Sequence, residues 1–203
     1  MKTKTNLAIL ASGNGSNFEA IIKAIKNGSL DVDHTILITD KKNSFVRKRA
    51  KRYQIKDIFA DPKKFQKRKD FDKQLIQILS EEKINIIALA GYMRILSSFF
   101  VEHFKNKILN IHPSLLPSFA GDNAIADAYN YGVKITGITV HFVSKKVDQG
   151  PIIAQTVIPI ENNMQLNELE EKIHKAEHKL YPKAIKMFLE GRLKISGRHV
   201  KVI

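Results

Sequence analysis

No cysteine occurs in the 203 residues of this chain. That absence rules out a disulfide framework, a thiolate nucleophile and a Cys-ligated zinc or iron–sulfur centre. Long apolar runs are also missing, and those present are far too short to span a bilayer. Met1-Lys2-Thr3-Lys4-Thr5-Asn6 passes straight into a short apolar strand, without the hydrophobic region of a signal peptide. The expectation is a cytoplasmic protein that does not associate with membrane. There is no internal repeat, low-complexity segment or linker, so one domain over 1–203 is expected.

Acids are scarce, 20 against 34 Lys and Arg, leaving a formal charge of +14. Such an excess invites a nucleic-acid reading, because basic proteins bind phosphate backbones through counterion release. Yet only seven of the 34 basic residues are Arg, and they cluster only in 47–52 and 63–69. Both clusters fall on expected helices, where a solvated face is the ordinary reading. A Lys-rich surface that attracts anionic substrates is favoured, and no nucleic-acid partner is expected.

What is present is ordinary globular composition, 43% apolar and 27% charged. Residues 6–11 read as a buried parallel strand. It enters Ser12-Gly13-Asn14-Gly15-Ser16-Asn17, and then a run over 18–25 with apolar residues at helical spacing. A strand, a glycine-rich turn and a helix leave backbone N–H groups and the positive helix end facing one point, which suits a phosphate. Ser16 or Asn17 can cap the helix. A plain strand-to-helix turn fits these residues as well. The third glycine of the dinucleotide motif and the Gly-Lys-Ser/Thr of the P-loop are both missing, so a monophosphate suits the turn better than NAD or ATP.

Further strands are expected at 33–39, 55–59 and 84–90, with helices at 44–53, 62–82 and up to Phe104. In the second of these helices Phe65, Phe71, Leu75, Ile76 and Leu79 form the inner face, and Arg68 and Asp72 make an ordinary surface pair one turn apart. Gly91-Tyr92-Met93-Arg94-Ile95-Leu96 follows the most apolar strand, at the edge where open α/β sheets bind ligands. A helix stopped by Gly132, two alternating segments at 135–143 and 151–160, and a last helix at 165–189 complete the pattern. The fold class is α/β: a doubly wound, mostly parallel sheet with helices on both faces and an antiparallel C-terminal strand extension. The basic tail after Gly191 reads as peripheral.

The densest chemistry lies in Asn110-Ile111-His112-Pro113-Ser114-Leu115-Leu116-Pro117, directly after the apolar Ile108-Leu109. Residues two apart on a strand face the same way, so an amide donor and an imidazole converge at the strand end. Pro113 and Pro117 stiffen the loop that follows. Fixed donors beside a group that exchanges a proton near neutral pH suit a developing oxyanion.

This string resembles the active-site segment of the folate-dependent formyltransferases. The similarity extends over several separated motifs from Leu7 to about Leu193. It implies transfer of the formyl group of 10-formyltetrahydrofolate to the amine of 5-phosphoribosylglycinamide, in de novo purine synthesis. The acceptor amine would attack the formyl carbon directly, through a tetrahedral intermediate and with no metal. By the resemblance, Gly15, Ser16 and Asn17 hold the substrate phosphate, and Glu177 reaches its glycinamide end. Arg68, Met93, Arg94, Ile95, Leu96 and Asn110 contact the folate. Asn110, His112 and Asp148 are the catalytic trio, with Asp148 favouring the charged imidazole. The part of the domain to about 105 would then bind phosphate, and the remainder would bind folate and catalyse.

Two positions depart from the family pattern: Asp122-Asn123 stand where many members have a His, and Lys145 where an acid is usual. Relatives that formylate initiator tRNA carry an added C-terminal domain, and those that hydrolyse formyltetrahydrofolate an added N-terminal one. A chain with its first strand at residue 7 and its end at 203 is expected to have neither. The resemblance leaves monomer and homodimer both open.

Overall fold

Strands apolar on both faces account for most of the first hundred residues' core. β1 (Asn6–Leu10), β2 (His34–Thr39) and β4 (Ile86–Leu89) are almost wholly buried, and β3 (Lys56–Phe59) is half-buried. Near-continuous apolar runs of this kind belong to parallel strands covered on both sides. Accordingly β1 pairs in parallel with both β2 and β4, and β2 with β3. The remaining strands are β5 (Ile108–His112), β6 (Ile135–Phe142), β7 (Ile152–Pro159), β8 (Leu193–Ser196) and β9 (His199–Val202). The main sheet has the order β3-β2-β1-β4-β5-β6-β7, and β8-β9 is a separate pair. The strand order reverses at β1, so the carboxyl ends of β1 and β4 form the switch point at which such sheets take ligands.

The computed structural model describes residues 4–203, and Met1-Lys2-Thr3, part of the stretch read as lacking a signal peptide, lie outside the described residues. The chain divides into two compact units, Met1–Leu109 and Asn110–Ile203. The helices of the first are α1 (Ser16–Lys26), α2 (Phe45–Tyr53), α3 (Arg68–Glu81) and α4 (Ser98–His103); those of the second are α5 (Ala124–Tyr131) and α6 (Leu166–Leu189). Among the described residues no helix is long and apolar enough to cross a membrane.

Local chemistry accounts for the differences from the sequence reading. The helix expected over 62–82 is broken: Asp61 accepts the Lys63 N–H and closes a short 3-10 turn at Pro62–Lys64, Phe65 is extended, and α3 begins only at Arg68. Asp72 is not a surface partner of Arg68. It is buried and accepts the Ser97 N–H at 2.8 Å, tying α3 to the start of α4. The helix after the glycine turn is capped by neither Ser16 nor Asn17, because Gly15 itself is the N-cap residue. The basic tail forms the β8–β9 hairpin around Gly197.

In the second unit β6 and β7 pair antiparallel, with a register shift at Val140/His141. Val140 lies opposite Ala154 but His141 opposite Ile152, so Ile153 is the extra residue of a bulge.

Candidate active site

The second unit assembles Asn110, His112 and Asp148, the last in the connection between β6 and β7. Asp148 approaches because residue 150 is glycine: a Cβ there would lie 1.6 Å from the Phe142 carbonyl oxygen. Asp148 itself has φ 53, a left-handed conformation that costs a non-glycine residue about 1 kcal/mol or more. Its Oδ2 accepts the Gly121 N–H at 3.1 Å and lies 3.5 Å from His112 Nδ1. The other ring nitrogen of His112, Nε2, donates to the Phe119 carbonyl at 2.9 Å, and Phe119 also has a positive φ, of 50. Both nitrogens of this buried ring therefore face acceptors, and a ring protonated on both satisfies the two together.

The sequence reading missed His141. It is 2% exposed, and its Nδ1 donates to the Phe142 carbonyl at 2.9 Å. That bond leaves Nε2 of the neutral ring as an acceptor, which takes one N–H of the Asn110 amide at 3.2 Å. Burial is the largest influence on this histidine and pushes its pKa below the ordinary value, against the raising effects of the Phe142 carbonyl and Asp148. A neutral His141 fixes which way the Asn110 amide faces and leaves its second N–H to donate elsewhere. The available signal was a histidine among apolar residues on a strand, seven positions before the acid.

The Pro-bounded loop is held by β6 and β7 of the same unit. Thr139 Oγ1 donates to the Ser114 carbonyl at 2.7 Å and accepts the Leu116 N–H at 3.1 Å and the Gln155 side-chain N–H at 2.9 Å. Gln155 also donates to the Leu116 carbonyl at 3.1 Å. On α6, Glu177 is buried and accepts from His174 Nδ1 at 2.9 Å. Hydrogen bonding to Glu177 is the main influence holding the His174 pKa above its ordinary value. Asn123 stands at the N-cap position of α5 without a capping hydrogen bond from its side chain, and Lys145 is exposed.

In the first unit, Gly15 has φ 78, and a Cβ on it would lie 2.4 Å from Val46 Cγ2. Only glycine fits, both for conformation and for space. No side chain caps α1, and its leading N–H groups have no acceptor within the helix. Nearby, the Met93 N–H donates to Ser12 Oγ at 2.9 Å, which joins the loops after β1 and β4 at the switch point. Met93 and Ile95, two apart in the segment after β4, are 69% and 60% exposed. Arg94 lies with its guanidinium 5.1 Å from the Phe71 ring centroid, Leu96 is half-buried, and Arg68 is exposed at the start of α3.

Residues 5–185 match the formyl transferase family. Phosphoribosylglycinamide formyltransferase of Bacillus subtilis is 43% identical over 182 residues, 90% of this chain and 93% of that protein. The human trifunctional purine biosynthetic protein adenosine-3 is 39% identical over 99% of this chain, which spans 20% of that longer protein. Glycinamide ribonucleotide transformylase 1 of Symbiobacterium toebii has a crystal structure that superposes with a TM-score of 0.96, at 38% identity, covering 98% of this chain and 94% of that one.

Proposed function

The chain belongs to the formyl transferase family, and from that premise we propose that it moves the formyl group of 10-formyltetrahydrofolate to the amine of 5-phosphoribosylglycinamide, in purine biosynthesis, by direct attack. The observation that carries the mechanism is the joint placement of Asn110, His112, Asp148 and His141. Asn110, with one N–H held by His141, presents the other to the oxygen that gains charge as the amine adds to the formyl carbon. His112 donates a hydrogen bond from Nε2 to the same oxygen, which displaces the Phe119 carbonyl, while Asp148 stabilises the charged ring. As the bond to the leaving nitrogen breaks, the charged ring gives that nitrogen its Nε2 proton, and it regains one from the attacking nitrogen, which restores the charged form. No residue forms a covalent bond to the formyl group.

The remaining roles follow the family resemblance. Gly15, Ser16 and Asn17 hold the acceptor phosphate, and Glu177 meets its glycinamide end. Arg68, Met93, Arg94, Ile95 and Leu96 hold the folate, with the apolar exposure of Met93 and Ile95 in support. The 203 residues act as one cytoplasmic formyltransferase domain on small molecules, with no nucleic-acid partner and as a monomer or homodimer.

The test is a spectrophotometric assay of formyl transfer, run with and without the amine acceptor. Product that requires the acceptor is expected. Product without it makes the protein a hydrolase of the formyl donor, and no product in either tube removes the catalytic reading.

A further inference from the structure

Beyond the groups that would touch substrate, the glycine turn has a partner on the neighbouring helix. Arg49 of α2 donates through Nε to the Asn14 carbonyl and through Nη2 to the Asn14 side-chain oxygen, both at 2.9 Å. Its Nη1 pairs with Glu19 of α1, whose other oxygen accepts from the Tyr53 hydroxyl at 2.6 Å. The side chains of Arg49 and Glu19 are only 20% and 14% exposed, so the cluster is not an ordinary surface pair. The Val46 N–H of the same helix donates to the Gly13 carbonyl at 3.1 Å.

We propose that Arg49 is a positioning residue for the phosphate turn, acting through Asn14 and Glu19 without touching the substrate. This rests on the reading of Gly15-Ser16-Asn17 as the phosphate site. Two physical arguments carry it. Asn14 stands between two glycines, so the peptide that joins it to Gly15 is free to rotate as a unit unless something holds it. A trans peptide is planar with its C=O and N–H opposed, so fixing the Asn14 carbonyl on Arg49 turns the Gly15 N–H the other way and keeps it there. The second argument is electrostatic. Glu19 lies in the first turn of α1, where a bare carboxylate would repel an anion at the helix N-terminus. Arg49 and Tyr53 occupy both of its oxygens, and Lys23 stands 3.6 Å away.

Steady-state kinetics of Arg49→Gln, with 5-phosphoribosylglycinamide and with its dephosphorylated counterpart as acceptor, tests this. The KM for the phosphorylated acceptor should rise about tenfold, the loss expected for charge-assisted hydrogen bonds, with kcat and the folate KM within about twofold. The dephosphorylated acceptor should react equally with both proteins. Adding Glu19→Gln to Arg49→Gln should recover part of the KM, an effect that mere loosening of α2 would not give. Arg47→Gln, on the same helix, breaks the separate pair between Arg47 and Asp57 of β3 and should leave the KM unchanged. An unchanged KM in Arg49→Gln, an equal loss with both acceptors, or an equal rise in Arg47→Gln would overturn the proposal. Should Arg49→Gln fail to fold, Arg49→Lys keeps a charge beside Glu19 but lacks the fork that reaches both oxygens of Asn14, and a wild-type KM there overturns it too. A wild-type protein that does not distinguish the two acceptors would instead sink the phosphate reading itself.

Discussion

The turn at 13–15 in the first unit takes its shape from residues that lack side chains, whereas the surroundings of His112 in the second take theirs from residues with large ones. Gly15 adopts a positive φ without penalty and leaves room for Val46. Phe119 and Asp148 adopt positive φ values at a cost, and these two residues supply the acceptors for the His112 ring. The first arrangement suits an anion held by backbone N–H groups, which needs close approach and little else. The second suits proton transfer, which needs particular side-chain atoms held within a few tenths of an ångström, and strain there is offset by the Thr139 and Gln155 bonds to the loop. Binding by backbone and catalysis by side chain thus draw on opposite kinds of residue.

Substitution should separate the two arrangements. The largest effect is expected in His112→Ala and Asp148→Asn, each lowering kcat by about a thousandfold with folding largely intact, as read by single-turnover rates beside circular dichroism. Turnover near wild type in either variant would remove that residue from the mechanism. Next come the two glycines. Gly150→Ala drives a Cβ into a backbone carbonyl that cannot swing aside, and should cost about 3 kcal/mol or more in urea unfolding and abolish turnover. Gly15→Ala meets a side chain, so it should cost less in stability and act mainly on the KM for the phosphorylated acceptor. Equal kinetic signatures for the two would erase the contrast drawn above. Thr139→Val should cost about 2 kcal/mol, because the Ser114 carbonyl and the Leu116 N–H lose a buried partner, and kcat should fall with it.

The smallest effects are those of pH on stability, and the second unit should show two of opposite sign. His141 has its folded pKa below the ordinary 6.5, so the unfolded chain takes up a proton first as pH falls. Its contribution is complete above 6.5 and is lost as pH drops from there toward the folded value. His174 has its folded pKa above 6.5, so its contribution is complete below that value and is lost as pH rises through the raised one. Unfolding free energies measured across this range should lose the acid-side slope in His141→Gln and the alkaline-side slope in His174→Gln. Unaltered slopes would mean that neither ring feels its surroundings in the way described.

Where one local rule dominated, the sequence was easy to read. Apolar runs such as Ile86–Leu89 announced buried strands, the two-residue spacing of Asn110 and His112 placed them on one face, and Gly132 stopped α5 in a left-handed conformation. Reading failed where a distant partner outweighs the local pattern. His141 is chosen by the Asn110 amide, Asp72 by the Ser97 N–H, and Arg49 by a turn 35 residues away, and none of these partners is visible from its neighbours in the chain. The β8–β9 hairpin was hidden for another reason: its strands alternate apolar and polar but have only four residues each, too few for the period to stand out.

The bulge at Val140/His141 bears on how such a chain can change over time. Because side chains alternate along a strand, removing Ile153 would restore regular pairing, shift the register beyond it by one residue and re-aim what lies between His141 and Gly150. Single-residue insertions and deletions in β7 are therefore costly where point substitutions of the same exposed residues are cheap. The tip of the β8–β9 hairpin at Gly197 lies outside that register, and Arg198 there donates to the Gln149 carbonyl at 3.3 Å, a side-chain bond that a change of length at the tip makes or breaks without shifting β7. Length variation among descendants of this sequence should collect at that tip, while β7 keeps its residue count even as its outward side chains drift.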